Sequence, residues 1–167
     1  MDKKMFCFQC EQTVGCAGCT GNAGVCGKKA DTARLQDELT GALIGLARAV
    51  DSTTAISKRT GQVIIEGLFT TVTNVNFDDA SIENMIQKVR AEKERLVPDC
   101  SKGQSPCGKT GEYDMQQLWN ANEDIRSLKS LILFGIRGMA AYAYHANVLN
   151  YEAVSYTHLR AHETGAY

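Results

Sequence analysis

Seven cysteines occur in this chain of 167 residues, and five of them, Cys7, Cys10, Cys16, Cys19 and Cys26, fall within one segment reading CFQCEQTVGCAGCTGNAGVC. Thiols at this density are used as disulfides, as metal ligands or as small apolar packing groups. The odd count argues against disulfides, as does an opening, Met1-Asp2-Lys3-Lys4, that leads into cysteines where an export signal would place an apolar core. Independent packing thiols belong among helical core positions, whereas these sit in a segment with Gly15, Gly18, Gly21, Gly24 and Gly27. A loop that wraps a metal or an iron–sulfur cluster fits better. Glycine permits tight turns and lets backbone amides approach bound sulfur closely.

The spacing allows two ligand quartets. Cys7-x2-Cys10 and Cys16-x2-Cys19 are two CxxC pairs, the donor set of a structural zinc. Only five residues separate those pairs, against the ~15 to 20 of tandem zinc pairs, and Cys26 is left over. An iron–sulfur cluster, with its irons spread over several ångströms, accepts Cys7, Cys10, Cys19 and Cys26 as the alternative. Spacing alone leaves both open. Phe6 and Phe8, flanking Cys7, suit either a shield for the metal or plain core packing.

The elements that must hold this loop are helical. From Asp31 to Val50, Leu35, Leu39, Ala42, Leu43, Leu46 and Val50 recur every three or four positions, with Asp31 or Thr32 as the candidate N-cap. Gln62 to Val75 is rich in β-branched residues, yet Ile65, Leu68, Phe69 and Val72 keep a helical period. A third helix begins near Asp79, runs through Ile82, Met85, Ile86, Val89 and Leu96, and is closed by Pro98. Lys88, Arg90, Glu92, Lys93, Glu94 and Arg95 are expected on its solvated face. Val97 to Tyr113 reads as a loop, and no other ligand-type cluster accompanies its Cys100 and Cys107. Met115 to Asn120 is a short helix. The most regular pattern follows over Glu123 to Leu149, in Ile125, Leu128, Leu131, Ile132, Ile136, Met139 and Ala143. The expected class is all-α, a helical bundle with an N-terminal cysteine- and glycine-rich loop.

Composition excludes several function classes. A net charge of -1 gives no broad electrostatic reason to bind nucleic acid or an acidic membrane. The longest apolar run, Leu131 to Ile136, is far short of the ~18 residues of a membrane span. Cytoplasmic residence is the expectation.

The opening MFCFQCEQTVGCAGCTGNAGVCGKKADTARLQDELTGALIGLARA resembles the start of the hybrid-cluster (prismane) proteins, also called hydroxylamine reductases. EGLFTTVTNVNFDD at Glu66 to Asp79 and EDIRSLKSLILFGIRGMAAYAYHANVLNYE at Glu123 to Glu152 continue the resemblance. It implies that Cys7, Cys10, Cys19 and Cys26 bind a cubane [4Fe-4S] cluster, or a [2Fe-2S] cluster in a subclass with longer spacing. The family's usual cubane pattern is CxxC-x8-C-x5-C. This chain has eight residues and then six, and Cys16 is extra to the pattern. The resemblance further implies reduction of hydroxylamine to ammonia and water. The cysteine loop would relay electrons from a flavoprotein reductase or ferredoxin to a hybrid iron–sulfur–oxygen cluster held by later domains, where the small nitrogenous substrate reacts.

On this reading residues 1–30 form the cluster loop and 31–152 the helical bundle. Residues 153–167 are a tail outside the family pattern, consistent with a truncated or misassembled reading frame. His158, His162 and Glu163 lie in that tail, where their spacing is read as accident, since a zinc enzyme needs a third ligand. His145 is expected to be a packed or surface residue. Two readings from other classes remain: a stand-alone small electron carrier, and a zinc-bound or metal-free helical interaction module.

Overall fold

A computed structural model describes residues 5–10, 17–51, 56–97 and 111–151. Five helices follow one another: α1 (Ala30–Asp51), α2 (Lys58–Thr70), α3 (Asp79–Leu96), α4 (Met115–Trp119) and α5 (Glu123–Val148). The all-α expectation holds, and the β-branched second segment is helix. Its boundaries are displaced: α2 starts at Lys58, where the Ser57 side chain accepts from the Thr60 N–H, and ends at Thr70. Beyond it the chain turns through 71–75, with Asn74 at φ 62° in the left-handed region.

The other boundaries follow ordinary helix-capping chemistry. Asp78, Asp114 and Asn122 each accept a hydrogen bond from the backbone N–H two residues on, opening α3, α4 and α5. For α1 both candidate cap residues fall inside the helix, which starts at Ala30. Asp31 lies in the first turn, and the buried Thr32 hydroxyl instead donates 2.6 Å to Asp79 of α3.

One apolar core joins the first three helices. Leu35, Leu39, Leu43, Leu46 and Val50 of α1 interlock with Val63 of α2 and with Ile82, Met85, Ile86 and Val89 of α3. Ile64, Leu68 and Leu96 cover its margins. The helical periods that predicted these elements therefore also name most of their buried faces. Gly41 of α1 lets the chain before α4 lie against the helix: the Tyr113 N–H donates to Gly41 O at 3.2 Å, and a Cβ on Gly41 would collide with the Tyr113 carbonyl oxygen.

Two side chains depart from the pattern. Glu92, expected on a solvated face, is 1% exposed. It accepts from the Thr60 hydroxyl at 2.7 Å and from Arg95, and pairs with Arg59 at 3.0 Å. These partners supply the hydrogen bonds that water would otherwise make. Arg137, in the middle of α5, is also buried, whereas Leu128, Leu131, Ile132, Ile136 and Met139 of the same helix are exposed. α5 rests on α2 through its other side, where Tyr144 stacks on Phe69 at 4.3 Å between ring centroids. Among the described residues no helix is long and apolar enough to cross a membrane.

Candidate metal centre

The loop is built on one pair of thiols. Cys7 donates its N–H to Cys19 O at 3.1 Å and Cys19 returns a bond to Cys7 O at 2.7 Å, an isolated antiparallel bridge. In such a directly opposed pair both side chains leave the same face of the ribbon. Both thiols are buried, beside Met5 and Ala33. Gly18, next to the bridge, has φ +90°, and a Cβ there would press on the Phe6 ring at 3.1 Å and on Cys7 O at 3.3 Å.

Side chains alternate along this short extended segment. Met5, Cys7 and Gln9 are the buried set, and Phe6 and Phe8 are half-buried on the opposite side. The two rings meet Trp119 at 5.3 and 5.0 Å between centroids. The structure thus favours the packing role for Phe6 and Phe8: they fasten the loop to α4.

Behind the thiols lies a polar layer. Lys28 is 2% exposed, and its Nζ donates to Gln9 Oε1 at 2.8 Å and lies 3.9 Å from Cys7 Sγ. Gln9 Nε2 donates to Asp37 Oδ1 of α1 at 2.5 Å, and Thr73 Oγ1 donates to the Gln9 carbonyl at 3.3 Å. Arg137 is 4% exposed, with Nε on the Thr71 hydroxyl at 3.1 Å and Nη2 on the Thr40 hydroxyl at 3.0 Å. An open pocket of ≈380 Å³ is lined by Cys10, Val72, Thr73, Asn74, Phe134, Arg137 and Gly138. Burial pushes the Cys7 thiol above its ordinary pKa and lifts Asp37 to about 6.

Of the four sequence-predicted ligands, the fold brings Cys7 and Cys19 together in the buried layer, while Cys10 and Cys26 are half-buried free thiols. Among the described residues no three Cys, His, Asp or Glu side chains converge into a group able to hold a metal ion. Cys16, Cys100, Cys107, His158, His162 and Glu163 lie outside the described residues. His145 is exposed and meets the edge of Phe69 at 5.5 Å.

The chemistry of the loop nevertheless suits a bound thiolate group. Lys28 and Arg137 are buried cations, and among the described residues neither has a salt bridge to a carboxylate. Sequence reasoning overlooked both, together with Gln9 and Asp37. The available signal for Arg137 was a lone charge within the apolar pattern of α5.

The described residues are an all-α bundle with a paired, buried Cys7 and Cys19 ahead of its first helix. Residues 5–163 match the model of the Prismane/CO dehydrogenase family, and the chain belongs to that family. The match runs past Glu152, into residues outside the described ones. The chain is similar to proteins named hydroxylamine reductase. It is 39% identical to one from Methanococcus vannielii, over 88% of this chain and 30% of the relative. Identity is 38% to one from Clostridium perfringens, over 89% and 31%, and 39% to one from Porphyromonas gingivalis, over 90% and 31%. The chain thus spans about three tenths of the length of the relatives it matches.

Proposed function

We propose that this chain is the electron-relay part of a hydroxylamine-reductase-type oxidoreductase, with Cys7, Cys10, Cys19 and Cys26 as ligands of a [4Fe-4S] cluster. When bound, the cluster would supply one-electron transfer between a donor and the site of substrate reduction. The whole enzyme would convert NH2OH, two electrons and two protons into NH3 and H2O. In this proposal the substrate-reducing hybrid cluster belongs to a longer polypeptide, and the donor is a flavoprotein reductase or ferredoxin.

The observation that carries the reading is the buried Cys7–Cys19 pair facing Lys28, in a chain of this family. Cys7 and Cys19 start with their side chains on one face of a hydrogen-bonded ribbon, so little reorganisation is needed for both to ligate. The aliphatic wall of Met5 and Ala33 keeps water from their sulfurs. Lys28 directs an ammonium toward Cys7 Sγ, which favours the thiolate over the thiol.

The test is anaerobic reconstitution of the chain with iron and sulfide, followed by metal and sulfide analysis and EPR of the reduced sample. About four irons and four sulfides per chain are expected, lost in Cys26→Ser and retained in Cys16→Ser. One zinc and no sulfide would overturn the reading and leave a structural metal loop. Loss of the cluster in Cys16→Ser would replace the proposed quartet.

A further inference from the structure

Two full positive charges are buried behind the cysteine loop, and neither has an ionic partner among the described residues. Lys28 Nζ has a carboxamide oxygen, a sulfur at 3.9 Å and, at 5.9 Å, the Phe77 ring. Arg137 has two neutral hydroxyls. A guanidinium or ammonium removed from water is costly unless an opposite charge compensates it. Asp37 is the carboxylate closest in influence to both, reaching Lys28 through Gln9, and burial pushes its own pKa up to about 6. One reluctant carboxylate does not balance two cations. Arg137, although its pKa is lowered to about 10 by burial, keeps its charge at neutral pH.

The uncompensated charge points at the thiols. Lys28 touches Cys7, and Arg137 lines the same pocket wall as Cys10. Cysteine ligates as thiolate, so a ligated loop would bring several negative charges to this spot. Iron–sulfur potentials respond to net charge, hydrogen bonds to sulfur and solvent exposure.

We infer that Lys28 and Arg137 are the built-in counter-charges of the thiolate cluster and hold its reduction potential up by favouring the added electron. The inference rests on the proposed cluster and adds two potential-setting residues, both outside the ligand set. It also gives Asp37 the opposite sign: its carboxylate opposes reduction.

The experiment is a potentiometric EPR titration at pH 8, where Asp37 is ionised, on the whole chain reconstituted with iron and sulfide. At the potential where the wild type is half reduced, Lys28→Met and Arg137→Met are each expected to show a reduced-to-oxidised ratio about tenfold lower, a fall of about 59 mV for a one-electron couple. The charge-keeping variants Lys28→Arg and Arg137→Lys should stay within about threefold of wild type, since net charge is unchanged. Asp37→Asn, nearly isosteric and still able to accept from Gln9, should move the ratio the other way. If the methionine variants fail to fold or load, Lys28→Gln and Arg137→Gln, which remove the charge and keep a hydrogen-bonding group, carry the same expectation. Fully loaded variants that titrate with the wild type, or an Asp37→Asn shift toward lower potential, would overturn the inference alone. A wild type that takes up no iron and sulfide would overturn the proposed function itself, and the inference with it.

Discussion

Glu92, buried on α3, and Asp37, half-buried on α1, are carboxylates whose surroundings drive them in opposite directions. Arg95, bonded to Glu92 at 2.6 Å, holds that carboxyl down to about 2, with Thr60 and Arg59 assisting. A depressed folded-state pKa means stability that is present above the ordinary carboxylate range and lost as pH falls through the folded value. Glu92→Ala is therefore expected to destabilise the chain by about 2 kcal/mol at pH 7, through loss of its buried hydrogen bonds. Urea titrations of wild type and variant should converge as the pH drops from about 4.5 toward 2. A Glu92 inside a charged run could not be recognised as buried from sequence, because its burial depends on Thr60, more than thirty residues away. The thiols were legible for the converse reason: five cysteines among glycines carry a local signature. Lys28 carries none, and the lone charge of Arg137 within the α5 pattern does not say which surface it faces.

At the scale of elements, the helical periods were sufficient wherever an apolar face met another. Leu35 through Val50 and Ile82 through Val89 predicted both the helix and its buried side. The chain end of α2 was misplaced because Thr71, Val72 and Thr73 continue the apolar rhythm after the backbone has turned. Those threonines have other work: Thr71 accepts from Arg137, and Thr73 donates to the loop at Gln9. The seating of α4 depends on Gly41, whose missing Cβ leaves room for the Tyr113 carbonyl. Gly41→Ala is expected to cost about 3 kcal/mol, since a backbone atom cannot yield as a side-chain tip can. It should also shift the emission of Trp119, the single tryptophan, as α4 moves away from Phe6 and Phe8. Unchanged emission with a lowered melting temperature would show that the clash is absorbed without moving α4.

Over the whole molecule the imbalance is on α5. Leu131 is 68% exposed, and Leu128, Ile132, Ile136 and Met139 extend the same apolar tract. The sequence pattern correctly announced a helix with an apolar stripe, but a stripe does not state whether its cover lies within the chain. A contiguous apolar surface of this kind favours association in water. Sedimentation of the isolated chain should show concentration-dependent self-association that Leu131→Lys with Ile132→Glu reduces, with the helical circular dichroism retained. A strictly monomeric wild type would show that this tract is tolerated in water.

The guanidinium of Arg137 ties three parts of the molecule at one point: it grows from α5, and it is gripped by Thr40 of α1 and by Thr71 just past α2. Mechanically α5 is a beam clamped from beneath and free above. Phe134 and Gly138, which flank Arg137 on the beam, also line the pocket that Cys10 enters. Ile136 and Met139, on the exposed side, sit within one helical turn of this clamp, so whatever covers them would lie next to the residue that joins α1, α2 and α5.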